Sequence, residues 1–121
     1  MEIQHFAINV LASEIHAENV AVGWWDNVDM SEPMVVPCKL ALIHSEISEA
    51  LEGHRKNLMD DKIPSRKMLE VELADAIIRI LDLSAALNFD IGGAIFEKCE
   101  YNKTRLDHKR ETRQLKNGKS Y

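Results

Sequence analysis

No stretch of this chain is apolar for long enough to cross a bilayer, and Met1 to Val10 has neither the basic start nor the apolar run of a secretory signal. A membrane-embedded or exported protein is not expected; a cytoplasmic one is. Cysteine is nearly absent: Cys38 and Cys99 stand far apart with no CxxC pair, which argues against a zinc ribbon or a dithiol redox centre. Both are expected as reduced, part-buried thiols. Histidine offers no ligand set either, because HExxH is missing and ExxH occurs only as Glu2 with His5 at the terminus. A di-iron bundle would need two such motifs on core helices, so that chemistry is set aside. Strand-like alternation, internal repeats and low-complexity tracts are also lacking.

What is present is a chain of 121 residues, 45% hydrophobic and 29% charged, the composition of one globular domain spanning 1–121. Its few glycines and prolines leave room for four helices. The first is expected over about Ile3 to Val22, with Ile3, Phe6, Val10 and Ala17 on its inner face. The second opens at Pro37, whose missing N–H suits a first turn, and reaches about Arg55 with Leu40, Ile43, Ile47, Ala50 and Leu51 inward. The third runs from Leu69 to Leu87 with Ser65 as a candidate cap, and is apolar almost all round. The fourth starts after Asp90, another cap, and continues through Leu106 into the tail. An almost wholly apolar helix belongs in the middle of a bundle, so the expected fold is all-α and four-helix bundle-like, with the third helix central.

Glu46 and Glu49 stand three residues apart on the second helix, and Glu72 and Asp75 share that spacing on the third. At i and i+3 two carboxylates share a helix face and can serve one ion. An isolated ExxE is usually a solvated face. Glu72 and Asp75, however, lie in VELADAIIRILDL, where so few positions are polar that the acids must point inward. Buried carboxylates cost several kcal/mol each, roughly, and crowding them adds repulsion, so a positive charge must compensate. A hard divalent cation fits best, Mg²⁺ first and Mn²⁺ as a substitute, since Mg²⁺ binds through few carboxylates and recruits phosphates. The simpler reading is an ion pair between Asp75 and Arg79.

On the fourth helix Lys98, Asn102 and Arg105 form a polar stripe able to hold phosphate oxygens. Between the first two helices, GWWDN sets Trp24 beside Trp25, a pair that can stack on a base or cover a core edge. Charge is segregated: residues 1–97 hold seven basic and seventeen acidic side chains, residues 98–121 eight and three, within a net −5. The basic tail, about 107–121, suits a small phosphorylated ligand better than nucleic acid, which the acidic remainder would repel.

LIHSEISEALEGHRKN, EVELADAIIRILDL and EKCEYNKTRLDHK, with GWWD ahead of them, resemble the MazG-like branch of the all-α nucleoside triphosphate pyrophosphohydrolases over roughly Val20 to Lys119. The resemblance implies Mg²⁺ on Glu46, Glu49, Glu72 and Asp75 as the catalytic centre. It also implies phosphate contacts from Lys98, Asn102 and Arg105, hydrolysis of a nucleoside triphosphate to monophosphate and pyrophosphate, and a homodimer or homotetramer engaged in nucleotide house-cleaning. The alternative is a non-catalytic helical interaction protein whose acidic cluster only binds a metal.

Overall fold

Three residues in the left-handed region end the three long helices, and each does so with the same pair of hydrogen bonds. At Gly23 (φ 94°) the amides of Gly23 and Trp24 reach back to Val20 and Asn19 carbonyls. At Asn57 the amides of Asn57 and Leu58 reach His54 and Gly53, and at Asn88 those of Asn88 and Phe89 reach Ala85 and Ser84. Glycine and asparagine tolerate this conformation, and the reversed bonds satisfy carbonyls that a helix end leaves orphaned. The computed structural model describes residues 2 to 105, 107 and 109 to 119. Its helices are α1 (Glu2–Ala21), α2 (Val35–Lys56), α3 (Met68–Ala86), α4 (Ile91–Thr104) and a short α5 (Arg110–Arg113). The fold is all-α; among the described residues extended pairing is limited to one antiparallel bridge between Met59 and Lys67.

Boundaries follow local chemistry. Pro37 falls in the first turn of α2 as expected, although the helix opens two residues earlier at Val35. The expected cap Ser65 lies outside α3; Lys67 stands at its start and makes no side-chain cap bond. Asp90 does cap α4, accepting from the Gly93 amide at 2.9 Å. That helix stops at Thr104, where Arg105 turns extended (ψ 131°), rather than running on into the tail; Leu106 lies outside the described residues. The thiols of Cys38 and Cys99 are free, and exposed rather than part-buried.

The chain forms two compact units, one of Val10–Phe89 and one of Met1–Asn9 with Asp90–Tyr121. In the larger unit α2 and α3 pack antiparallel, with Gly53 against Met68 at one end and Glu46 against Arg79 further along. A Cβ on Gly53 would come within 2.7 Å of the Met68 Cγ, so the close approach of these helices depends on glycine. The buried apolar core consists of small or medium side chains: Ala12, Ala50, Ala76, Leu81 and Leu83. The inner face expected for α1 is not the buried one, since Ile3, Phe6, Val10 and Ala17 are exposed while Ala12 is covered. On α2, Ala50 is buried and Ile43 half-buried, but Leu40, Ile47 and Leu51 face outward, as do Leu73, Ile77 and Ile80 on α3. The third helix thus leaves its Leu73, Ile77 and Ile80 face open, whereas its consecutive residues Leu81, Asp82, Leu83 and Ser84 are buried all round. In the smaller unit, Asn9 ties α1 to the start of α4, donating to Asp90 and accepting from the Gly92 amide at 2.8 Å.

An alanine at position 23 would have to adopt the left-handed conformation, at a cost of about 1–2 kcal/mol. Gly23→Ala should lower the melting temperature accordingly, whereas Asn88→Gly should leave it level or higher; thermal melts of the two variants check this.

Candidate functional site

Four polar residues of α3, Glu72, Asp75, Arg79 and Asp82, lie in one stripe, spaced three, four and three apart, with Glu70 and Ser84 the other polar positions of the helix. On α2, Lys39, Glu46, Glu49 and Gly53 share a face in the same way. Antiparallel packing turns these stripes toward a common cavity of about 520 Å³. Glu46, Glu49, Glu72, Asp75, Arg79, Asp82 and Lys39 all line it, with Trp24 and Asn19 from the end of α1 and Lys62 from the α2–α3 loop. That loop is held by Asp60, which is buried and accepts from the Lys62 and Ile63 amides at 3.0 and 2.8 Å. A cavity of this size accommodates a small ligand.

Glu46, Glu72 and Asp75 each bring a carboxylate oxygen within 4.8 Å of the other two. Glu46 and Glu72 are buried, Asp75 is half-buried, and Glu49 stands exposed beside Glu72. Arg79 pairs across the helices rather than along its own: its Nε donates to the Glu46 Oε1 at 2.7 Å, so the expected Asp75 partner is replaced by Glu46. Burial works to raise the Glu46 carboxyl, but hydrogen bonding and the Arg79 charge bring it below its ordinary value. The other two acids move the opposite way. Burial, a hydrogen bond that protonated Glu72 donates to Glu46, and the charges of Glu49 and Asp75 push Glu72 up to about 8. Burial and the Glu46 charge raise Asp75. Glu72, 9% exposed, has one carboxyl oxygen buried with no hydrogen-bond partner. A buried orphan oxygen is costly and rare, and Glu46, Glu72 and Asp75 are the residues here that could hold a metal ion.

No family model, curated protein or solved structure matches this chain. The chemistry is therefore read from the side chains themselves.

Further along the cavity, Asp82 is another buried carboxylate, in a different environment. It accepts from His16 Nδ1 at 2.7 Å, Asn19 Nδ2 at 2.9 Å and Trp25 Nε1 at 3.0 and 3.2 Å. The two tryptophans thus separate. Trp25 is half-buried and pinned by Asp82, meets His16 edge-on at 5.1 Å and carries Lys39 Nζ over its ring at 4.3 Å. Trp24 is 69% exposed and lines the cavity, so its face is the one available for stacking. The bonds that end α1 at Gly23 put both indoles in place.

The acids expected from sequence gather around one cavity with Trp24. Lys98, Asn102 and Arg105 belong to the smaller unit and have surroundings of their own there. Lys98 Nζ sits over the Tyr101 ring at 4.8 Å, Asn102 Oδ1 is buried without a partner, and Arg105 grips Asp107 with two bonds of 3.1 and 2.8 Å. The cations on the cavity wall are Lys39, Lys62 and Arg79. From sequence, Arg79 is named only as an ion-pair partner for Asp75, and none of Lys39, Lys62, Asn19 and Asp82 is singled out. For Arg79 and Asp82 a signal was present, since they extend the stripe that Glu72 and Asp75 begin.

Glu72 binds its proton more tightly folded than unfolded, where its value is 4.5. Between about 4.5 and about 8 the folded state therefore holds more protons, and stability falls as pH rises through that window. Metal-free protein should melt at progressively lower temperature from about pH 5.5 to about pH 8.5. Glu72→Gln should remove most of this fall and melt above the parent at the upper end; a parent curve flat across the window would contradict a proton held by Glu72.

Proposed function

We propose that this protein is a Mg²⁺-dependent nucleoside triphosphate pyrophosphohydrolase acting as a homo-oligomer in the cytoplasm. The observation that carries the reading is the composition of one cavity: clustered carboxylates with an orphan buried oxygen, three cations and an accessible indole line the same wall. These are the groups needed for a metal, a phosphate chain and a base. The resemblance of the ordered acids to the MazG-like enzymes supports the same assignment.

Glu46, Glu49, Glu72 and Asp75 would hold the ion, Glu72 giving up its proton to do so. Bound there, Mg²⁺ supplies a Lewis acid for phosphate oxygens and for water. Arg79 engages Glu46 through Nε, so its terminal nitrogens are left to fork onto a phosphate beside the carboxylates. Lys62 on the loop and Lys39 on α2 add charge along the cavity, and Trp24 offers a stacking face to the base. Water adds across the α–β anhydride, one product keeping the nucleoside and one phosphoryl group, the other being pyrophosphate. No covalent intermediate with the protein is required.

The outward stripes of Leu40, Ile47 and Leu51 on α2 and Leu73, Ile77 and Ile80 on α3 favour burial against a second copy, in a dimer or a tetramer built from dimers. Light scattering at micromolar concentration should return a multiple of 13.8 kDa. A monomer would count against this part of the reading.

Incubation of a triphosphate with Mg²⁺ should give monophosphate and pyrophosphate in equal amounts, without diphosphate or orthophosphate. Glu72→Gln and Asp75→Asn relieve repulsion and should keep or raise stability while kcat falls by orders of magnitude. Arg79→Lys keeps the charge but loses the fork, and should lower kcat/KM on the order of 10²-fold. Saturating Mg²⁺ at about 100 times its Kd should stabilise the parent by roughly 2.7 kcal/mol. Stabilisation by Mg²⁺ without turnover of any nucleotide would favour the non-catalytic helical protein instead.

A further inference from the structure

Asp82 and Asn19 give the far wall of the cavity a definite hydrogen-bonding character. A carboxylate only accepts, so the Asn19 amide must turn its NH₂ toward Asp82 Oδ2, which leaves Asn19 Oδ1 as a second acceptor beside it. Asp82 has about four acceptor positions and receives three donors, His16, Asn19 and Trp25, the single Trp25 N–H being shared between its two oxygens. Both residues line the cavity, as do Trp24 and Lys39. His16 and Trp25 fix the carboxylate and are positioning residues rather than ligands.

From this wall we infer that the site selects nucleobases bearing an exocyclic amino group, cytosine or guanine for example, over counterparts that lack it, uracil or hypoxanthine for example. The inference rests on the pyrophosphohydrolase reading and names its substrate class. An amino group brings N–H donors to the Asp82 and Asn19 oxygens while the ring stacks on Trp24. A base with a carbonyl in that place sets oxygen lone pairs against a carboxylate and leaves the acceptors unpaired. Stacking on Trp24 tolerates every base, so discrimination falls to Asp82 and Asn19.

Two substrate pairs isolate the feature, since CTP and UTP differ in an amino or keto group at one ring carbon, and GTP and ITP only in the 2-amino group. With Mg²⁺ present, kcat/KM should favour CTP over UTP and GTP over ITP at least tenfold. Asp82→Asn keeps the shape of the side chain but replaces an acceptor by a donor, and should shrink or invert both ratios. Quenching of tryptophan fluorescence by CMP and UMP reads the same preference in the unmodified protein without turnover, so a variant that fails to fold leaves the test intact. Ratios near one in both assays overturn the inference and leave pyrophosphate release standing. Selective quenching by CMP with no hydrolysis of any triphosphate supports the amino preference and overturns the enzymatic reading. Neither quenching nor hydrolysis overturns both.

Discussion

Everything in the larger unit is arranged around the repulsion among Glu46, Glu72 and Asp75. At separations within 4.8 Å, two full charges repel by about 3 kcal/mol at an effective dielectric near 20. Three such pairs approach the whole stability of a typical domain, roughly 5–15 kcal/mol. The three acids cannot all be ionised together unless cationic charge is brought to them. Arg79 supplies part of it by pairing with Glu46, and a proton on Glu72 supplies the rest in the bare protein. The proton is a poor solution, because Glu72 still keeps an oxygen without a partner. A divalent cation would satisfy that oxygen and displace the proton at once.

The helical elements were legible because they rest on local chemistry: punctuation by Gly23 and Asn88, Pro37 in a first turn, Asp90 as a cap. The inward direction of Glu72 was legible too, since an apolar helix leaves an acid nowhere else to go. What failed were inferences needing a partner surface. The face of α1 with Ile3, Phe6 and Val10 has the right spacing for burial, yet spacing cannot tell a core face from a face that is left open. Ser65 was chosen as a cap from residue type alone, while the loop closes through Asp60 instead, leaving Lys67 at the helix start. Side-chain partners across helices, such as Glu46 for Arg79, lie beyond any i, i+4 rule.

The cavity is chemically asymmetric from end to end. Near its crowded end the carboxylates compete for charge compensation, and Arg79 and Lys62 stand close by on the wall. At the Asp82 end a single carboxylate is held by His16, Asn19 and Trp25 with no second acid among the described residues crowded against it, so it stays an acceptor without calling for a metal. Two buried acids on one helix, Glu72 and Asp82, thus do different work because of their neighbours rather than their chemistry. The stripe on α3 runs from one environment to the other over ten residues, about 15 Å of helix. That length is comparable to a nucleotide laid along it.

The outward apolar stripes connect the site to assembly. At 100° per residue, Leu73, Ile77 and Ile80 point well away from Glu72, Asp75, Arg79 and Asp82, and Leu40, Ile47 and Leu51 are similarly turned from Lys39, Glu46 and Glu49. Each helix is therefore built with a polar side for the cavity and an apolar side facing away from it. Holding like charges within 4.8 Å requires α2 and α3 to resist separation, and the fully buried apolar side chains on the two helices are only Ala50, Ala76, Leu81 and Leu83, which contribute little area. In the proposed assembly a second copy covering the apolar side would supply the missing burial on the same two helices. The force that keeps the carboxylates together would then come largely from the oligomer interface, which ties the geometry of the metal site to subunit association.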